Sequence, residues 1–215
     1  MNRKSLGLLA PQAVTGFLQY KTAEALSPNT LISYESVLKL WLSHIGNVDL
    51  STINSASVLE FLAWLRTDYT PRRFDGSDTP LSPKSIRNVS AVLSAFFRWA
   101  HAEFDFPNPM LKVPSTHFQK PPIEAFKKEE IEALLKACEY TQEATTDQRK
   151  KFMMKRATAK RDRALVLFLL DTGLRASELC ALRIGDVEQK TGRVEIKHGV
   201  KGGAKGGKGR IKKIG

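Results

Sequence analysis

Cysteine is scarce in this sequence. Cys138 and Cys180 are the only two in 215 residues, far apart and without C-x-x-C spacing. That excludes a disulfide-stapled secreted scaffold and a zinc ribbon, and reduced thiols are expected. His44, His101, His117 and His198 form no ligand pattern either, so no metal is expected. No uninterrupted apolar stretch is long enough to span a bilayer. The opening M-N-R-K-S-L-G-L-L-A-P has a basic start, but its apolar run is too short for a secretory signal. The expected location is the cytoplasm, with no membrane partner.

Negative charge is also in deficit. The formal net charge is +12, and its distribution says more than its size. Residues 1–148 carry 15 basic and 16 acidic side chains, and residues 164–192 carry three and four. Residues 149–163 and 193–215 each carry eight basic side chains against one acidic. Two concentrated basic segments are the footprint of a polyanion, with nucleic acid ahead of an acidic lipid surface. A solvated flexible loop is the plainer account of the first segment.

At 42% apolar residues the chain can bury one large core or two small ones. Residues 9–25 read as a first helix, with Leu9, Val14, Phe17 and Leu18 on its apolar side. Ser27-Pro28 and Ser82-Pro83 are start signals, a serine N-cap followed by proline at the first helical position. The helices they open carry apolar stripes, Tyr34 to Ile45 in one and Ile86 to Ala100 in the other. A further helix begins at Asn54 or Ser55. Four amphipathic helices make a compact helical domain, expected over residues 1–106. Five prolines between Asp105 and Pro122 predict an extended linker over 107–122.

The rest, 123–215, mixes helix and strand. Phe126 to Cys138 reads as a helix, Thr141 to Thr146 as a polar loop, and Ala164 to Leu170 as a buried helix ended by Gly173. Ser177 is placed to cap a short helix from Glu178 to Leu182. Arg175 then lies in a tight turn between two helices, with Glu178 three residues on. The pair reads either as a structural clamp or as an anion site. R-V-E-I-K, Arg193 to Lys197, alternates as a strand, and Ile211 to Ile214 returns as its hairpin partner. Gly202 to Lys208 is a near miss for a phosphate-binding loop. Gly209 stands where Ser or Thr would hold magnesium, so no nucleotide is expected.

T-G-L-R-A-S-E-L followed by A-L-R-I-G-D-V, from Thr172 to Val187, resembles the first active-site box of the tyrosine recombinases, the phage integrase and Xer-like enzymes. T-x-x-x-Y-x-x-x-L-x-x-W-L at Thr30 to Leu42 and R-x-V-S-x-V-L-x-x-F-F-R-W at Arg87 to Trp99 resemble the second and fourth helices of that family's core-binding domain. K-G-G-K-G-R at Lys205 to Arg210 resembles its K-G-x-K-x-R hairpin.

The resemblance implies a mainly α protein: a four-helix SAM-like core-binding domain, a Pro-rich linker, then the start of an α+β catalytic domain with a β-hairpin. It implies that Arg175 binds a scissile phosphate, that Glu178 supports it, and that Lys205 (alternatively Lys201) is the catalytic lysine. Lys39, Lys84, Arg87 and Asn88 on the two helices, Lys150, Lys151 and Lys155 in the first basic segment, and Lys208 and Arg210 in the second are the expected contacts to double-stranded DNA. The family's chemistry joins and breaks DNA through a 3′-phosphotyrosyl bond and needs no cofactor. Its H-x-x-R box and nucleophilic tyrosine have no counterpart here. Tyr20, Tyr34, Tyr69 and Tyr140 all precede Arg175. The expectation is a recombinase cut short after its second strand region, binding DNA without cleaving it and assembling with other protomers when full-length. A non-catalytic DNA-binding regulator on the same lobes, or a basic RNA-binding protein, are the alternatives.

Overall fold

A computed structural model describes residues 7–115, 119, 122–147, 149–197 and 209–213. The chain divides into two compact units, Met1–Pro121 and Pro122–Gly215.

The first unit holds four helices: α1 (Ala10–Ala23), α2 (Pro28–Ile45), α3 (Ser55–Thr67) and α4 (Pro83–Phe104). The start signals act as their chemistry dictates. Ser27 accepts the Thr30 N–H at 3.3 Å and Ser82 accepts the Ser85 N–H at 3.2 Å. Asn54 caps α3 by accepting from Ala56 and Ser57. The first helix is shorter than its apolar pattern suggested, because Ala25 turns left-handed at φ 55° just after it. Phe17, Trp41, Phe61, Phe96 and Phe97 are fully buried together. Phe96 makes an edge contact with Phe17 at 5.5 Å and a tilted one with Trp41 at 5.5 Å, so the core is largely aromatic.

The expected linker does not begin where the prolines do. Phe106 is buried and stacks on Phe97, and Pro109–Lys112 forms a 3₁₀ turn seated on α3. Ser55 Oγ donates to the Pro109 carbonyl at 2.9 Å, and His101 Nδ1 lies 2.7 Å from the Phe106 carbonyl oxygen. Proline suits a short 3₁₀ turn at its first position, where no donor is needed.

The second unit contains α5 (Lys128–Ala137), the strands β1 (Ala144–Thr146) and β2 (Arg149–Phe152), α6 (Ala159–Thr172), α7 (Ala176–Ala181), then β3 (Val187–Glu188), β4 (Arg193–Ile196) and β5 (Arg210–Lys213). Strands β3, β4 and β5 form one antiparallel sheet in that order. Val194 and Ile196 of β4 are buried while Arg193 and Glu195 are exposed, the period-two pattern of a half-buried strand.

Three local expectations are corrected. Thr141 to Thr146 is not all loop: β1 pairs antiparallel with β2, and Glu143 meets Lys151 at 3.5 Å. The ladder is irregular between Ala144 and Thr146, and Lys151 is left-handed at φ 53°, so no clean alternation marked it in the sequence. The apolar run 164–170 is not buried: α6 leaves Leu165, Leu167 and Leu170 about 40% exposed, because it is apolar on more than one side. Finally, Ser177 is not the cap of α7. The helix starts two residues earlier, with Arg175 at the N-cap and Glu178 in the position that accepts the cap's own N–H.

Candidate functional site

Gly173, at φ 61°, closes α6 in the left-handed conformation, and its N–H bonds the Leu169 carbonyl at 2.9 Å. Leu174 turns inward onto Val194 and Ile196. That anchor delivers Arg175 to the start of α7 with its side chain 53% exposed.

Glu178 lies beneath it with its side chain out of solvent. One carboxylate oxygen accepts the Arg175 N–H at 2.8 Å, and the other takes the Arg175 guanidinium at 2.8 Å. A third donor arrives from β5: Arg210 Nη2 reaches the first oxygen at 2.6 Å. Burial raises the Glu178 carboxyl toward neutrality, but the Arg175 N–H and guanidinium and the Arg210 charge outweigh it. The group is held below the ordinary glutamate range. Arg210 is one-third exposed, and its Nε is buried without a partner among the described residues.

A second ion pair stands beside the first. Lys197 Nζ lies 2.5 Å from the buried Asp186 carboxylate, whose other oxygen accepts the Arg183 N–H at 2.9 Å. The lysine bond, then the Arg183 N–H, hold the Asp186 carboxyl below its usual value, and Asp186 in turn raises Lys197. The two pairs border one cavity of about 100 Å³, lined by Glu178, Leu182, Arg183, Asp186, Glu195 and Lys197.

The structure thus brings Arg175, Glu178 and Arg210 together. Lys201, Lys205 and Lys208 lie outside the described residues. Lys84, Arg87 and Asn88 are exposed on the first turns of α4, opposite the buried Ile86, Val89 and Leu93. Lys39 is exposed on α2 but paired with Glu35 at 2.6 Å. Lys150 and Lys151 are exposed on β2, and Lys155 follows, bridged through its backbone to Tyr140. Asp186 and Lys197 were missed by sequence reasoning. R-I-G-D before a strand is a turn-capping signal that could have flagged Asp186, but nothing local pairs it with Lys197.

Two family models match in succession. The N-terminal SAM-like domain of phage integrases covers residues 14–103, and the phage integrase family model covers residues 124–215. The Tyrosine recombinase XerA of Thermococcus kodakarensis is 29% identical over 200 residues, 93% of this chain and 56% of the relative. The Tyrosine recombinase XerD of Pseudomonas putida is 28% identical over 177 residues, 80% of this chain and 51% of that one. The chain therefore spans about half the length of the curated relatives it matches. Among solved structures, a lambda integrase (75–356) dimer bound to a COC′ core site aligns at a TM-score of 0.67 and 16% identity. That alignment covers 95% of this chain and 62% of the other. The Tn1549 transposon integrase in complex with transposon right end DNA aligns at 0.65 and 18% identity, covering 97% and 61%. At these identities the structural likeness speaks for the fold.

Proposed function

Since the chain belongs to the phage integrase family of tyrosine recombinases, we propose that it binds double-stranded DNA and forms the phosphate-holding half of a DNA strand-exchange site. The observation that supports this reading is the state of Arg175. Here the Glu178 carboxylate is buried and the guanidinium stays half in solvent, on a rigid N-cap, with donors to spare. Such a preorganised cation suits the extra negative charge of a pentacoordinate phosphate, where a single positioned donor contributes about 3–4 kcal/mol. Lys205, or alternatively Lys201, protonates the leaving 5′-oxygen as general acid in this scheme. Lys150, Lys151, Lys155 and Lys208 supply positive charge near the DNA backbone, and Lys39, Lys84, Arg87 and Asn88 face the major groove. The family's nucleophile and H-x-x-R box have no counterpart in residues 1–215, so this chain grips DNA without cutting it. Structural neighbours described as a dimer and a tetramer on DNA support assembly with further protomers. The cytoplasm is the proposed compartment.

Affinity measured against salt, on specific and random duplexes, tests the grip. Replacing Lys150, Lys151 and Lys155 by alanine should lower the log–log salt slope by roughly 2.7, about 0.9 per phosphate contact. Changing Lys84, Arg87 or Asn88 should instead alter preference among sequences, by about 1–3 kcal/mol per lost bidentate base contact. An unchanged slope in the lysine triple variant would make β2 a solvated hairpin and remove it from the interface. Incubation with a suicide duplex should leave no covalent adduct. An adduct would require a nucleophile among Tyr20, Tyr34, Tyr69 and Tyr140.

A further inference from the structure

The charge at Arg175 is decided by a residue far from it in sequence. Glu178 and Arg175 alone would form a neutral pair, and a neutral pair is a poor anion site. Drawing the guanidinium toward a phosphate would also leave a carboxylate buried with too little compensation, which is strongly unfavourable. Arg210 changes both terms. Its Nη2 lies 2.6 Å from Glu178, on the oxygen that also takes the Arg175 N–H, while the Arg175 guanidinium uses the other oxygen. Arginine stays protonated throughout the working pH range, so the trio carries one net positive charge. We propose that Arg210 is a positioning residue that neutralises Glu178 and thereby frees Arg175 to bind a phosphodiester. The proposal rests on the reading of Arg175 as the phosphate ligand.

This assignment differs from a DNA-backbone contact for Arg210. Its Nη2 is committed to a buried carboxylate, and its Nε is out of solvent. Strand register accounts for the placement. Arg210 pairs directly with Ile196, whose side chain is buried, and residues directly opposite in an antiparallel pair share a face of the sheet. Arg210 is therefore turned toward the interior, where Glu178 lies.

The test uses the whole chain, ¹⁵N-labelled at arginine, titrated with thymidylyl-(3′→5′)-thymidine, which has one phosphodiester and no other charge. The wild-type Arg175 Nε–H resonance should shift on addition of the dinucleotide. Removing the second cation in R210Q should weaken that binding roughly tenfold, as expected for one charge lost several ångströms from the ligand in a partly screened site. R210K should keep most of it. The double variant R210Q/E178Q, which again carries one net positive charge, should return to within about threefold of wild type. A merely structural role for Arg210 predicts that binding follows the fraction of folded protein and does not depend on the net charge of the trio. If R210Q does not fold, E178Q gives the complementary arm: with the carboxylate charge gone, binding should be at least as tight as in wild type. R210Q binding like wild type, a double variant as weak as R210Q, or E178Q binding more weakly than wild type would each overturn the proposal while leaving Arg175 a phosphate ligand. A wild-type Arg175 resonance that ignores the dinucleotide would sink the phosphate reading itself, and this proposal with it.

Discussion

The two units of this chain are held together by different forces. In the first, Phe17, Trp41, Phe61, Phe96 and Phe97 interlock across four helices, and every polar helix start has its cap. In the second, the buried apolar cluster among the described residues is Leu174, Val194 and Ile196, with Phe168, Leu169, Leu182 and Val187 packed around it. Leu165, Leu167, Leu170 and Ile184 face solvent. What organises this unit is ionic: Glu178 between two arginines, and Asp186 with Lys197. The difference teaches that the two units order themselves differently: an aromatic core holds the first, whereas buried carboxylates orient the cations of the second, where the phosphate site is proposed.

The sharpest break of this comparison is to separate the units. Residues 1–115 alone should melt cooperatively, whereas residues 122–215 alone should bind a hydrophobic dye and show no cooperative transition, because their apolar surface is incompletely covered. Calorimetry of the two fragments checks both statements, and a cooperative melt of the second would overturn the contrast.

Point substitutions should show the same asymmetry at smaller scale. Phe96→Ala removes a ring packed against Phe17, Trp41, Phe97 and Trp99 and should cost about 3–5 kcal/mol. Ile196→Val, in the thin core of the second unit, should cost only about 1 kcal/mol. Trp41, Trp64 and Trp99 all lie in the first unit. Urea unfolding followed by tryptophan fluorescence should therefore register the first change and pass over the second, which amide exchange of β4 would detect.

The smallest effect is one of pH. The folded-state carboxyl of Glu178 is held below its unfolded value of about 4.3. The stabilisation this brings is fully present above that value and is lost as pH falls through the lower folded one. Asp186 acts in the same sense. Exchange protection of α7 and β4 should accordingly decline below about pH 4, and E178Q should flatten that decline. An equal decline in E178Q would assign the acid sensitivity elsewhere.

Much of the helical unit was legible in the sequence because its signals are local. Ser27-Pro28 and Ser82-Pro83 open helices wherever the chain around them is amphipathic, and the stripes of α2 and α4 repeat often enough to show which side is buried. The prolines after Asp105 misled, since proline forbids an interior helix but not a 3₁₀ turn with an apolar seat waiting on α3. In the second unit the run 164–170 looked like core because hydrophobicity reports what prefers burial and not what is available to bury it. The cap of α7 was misplaced by two residues, because Glu178 serves the preceding backbone as well as the Arg175 side chain.

By itself, the sequence determined the segregation of charge into two basic segments, the helical half followed by a mixed half, and the Gly173 turn that delivers Arg175. Each of these depends on composition, periodicity or a backbone preference within a few residues. Only the tertiary structure decided that Glu178 is shared with Arg210, 32 residues away, and that Asp186 is closed by Lys197. The register of β4 against β5 decides which way Arg210 points, and a one-residue slip would turn it outward. Charge count along a chain says how much there is to arrange. Which cation meets which carboxylate is settled by the pairing of strands, where the side-chain period is two and a neighbour in space need not be a neighbour in sequence.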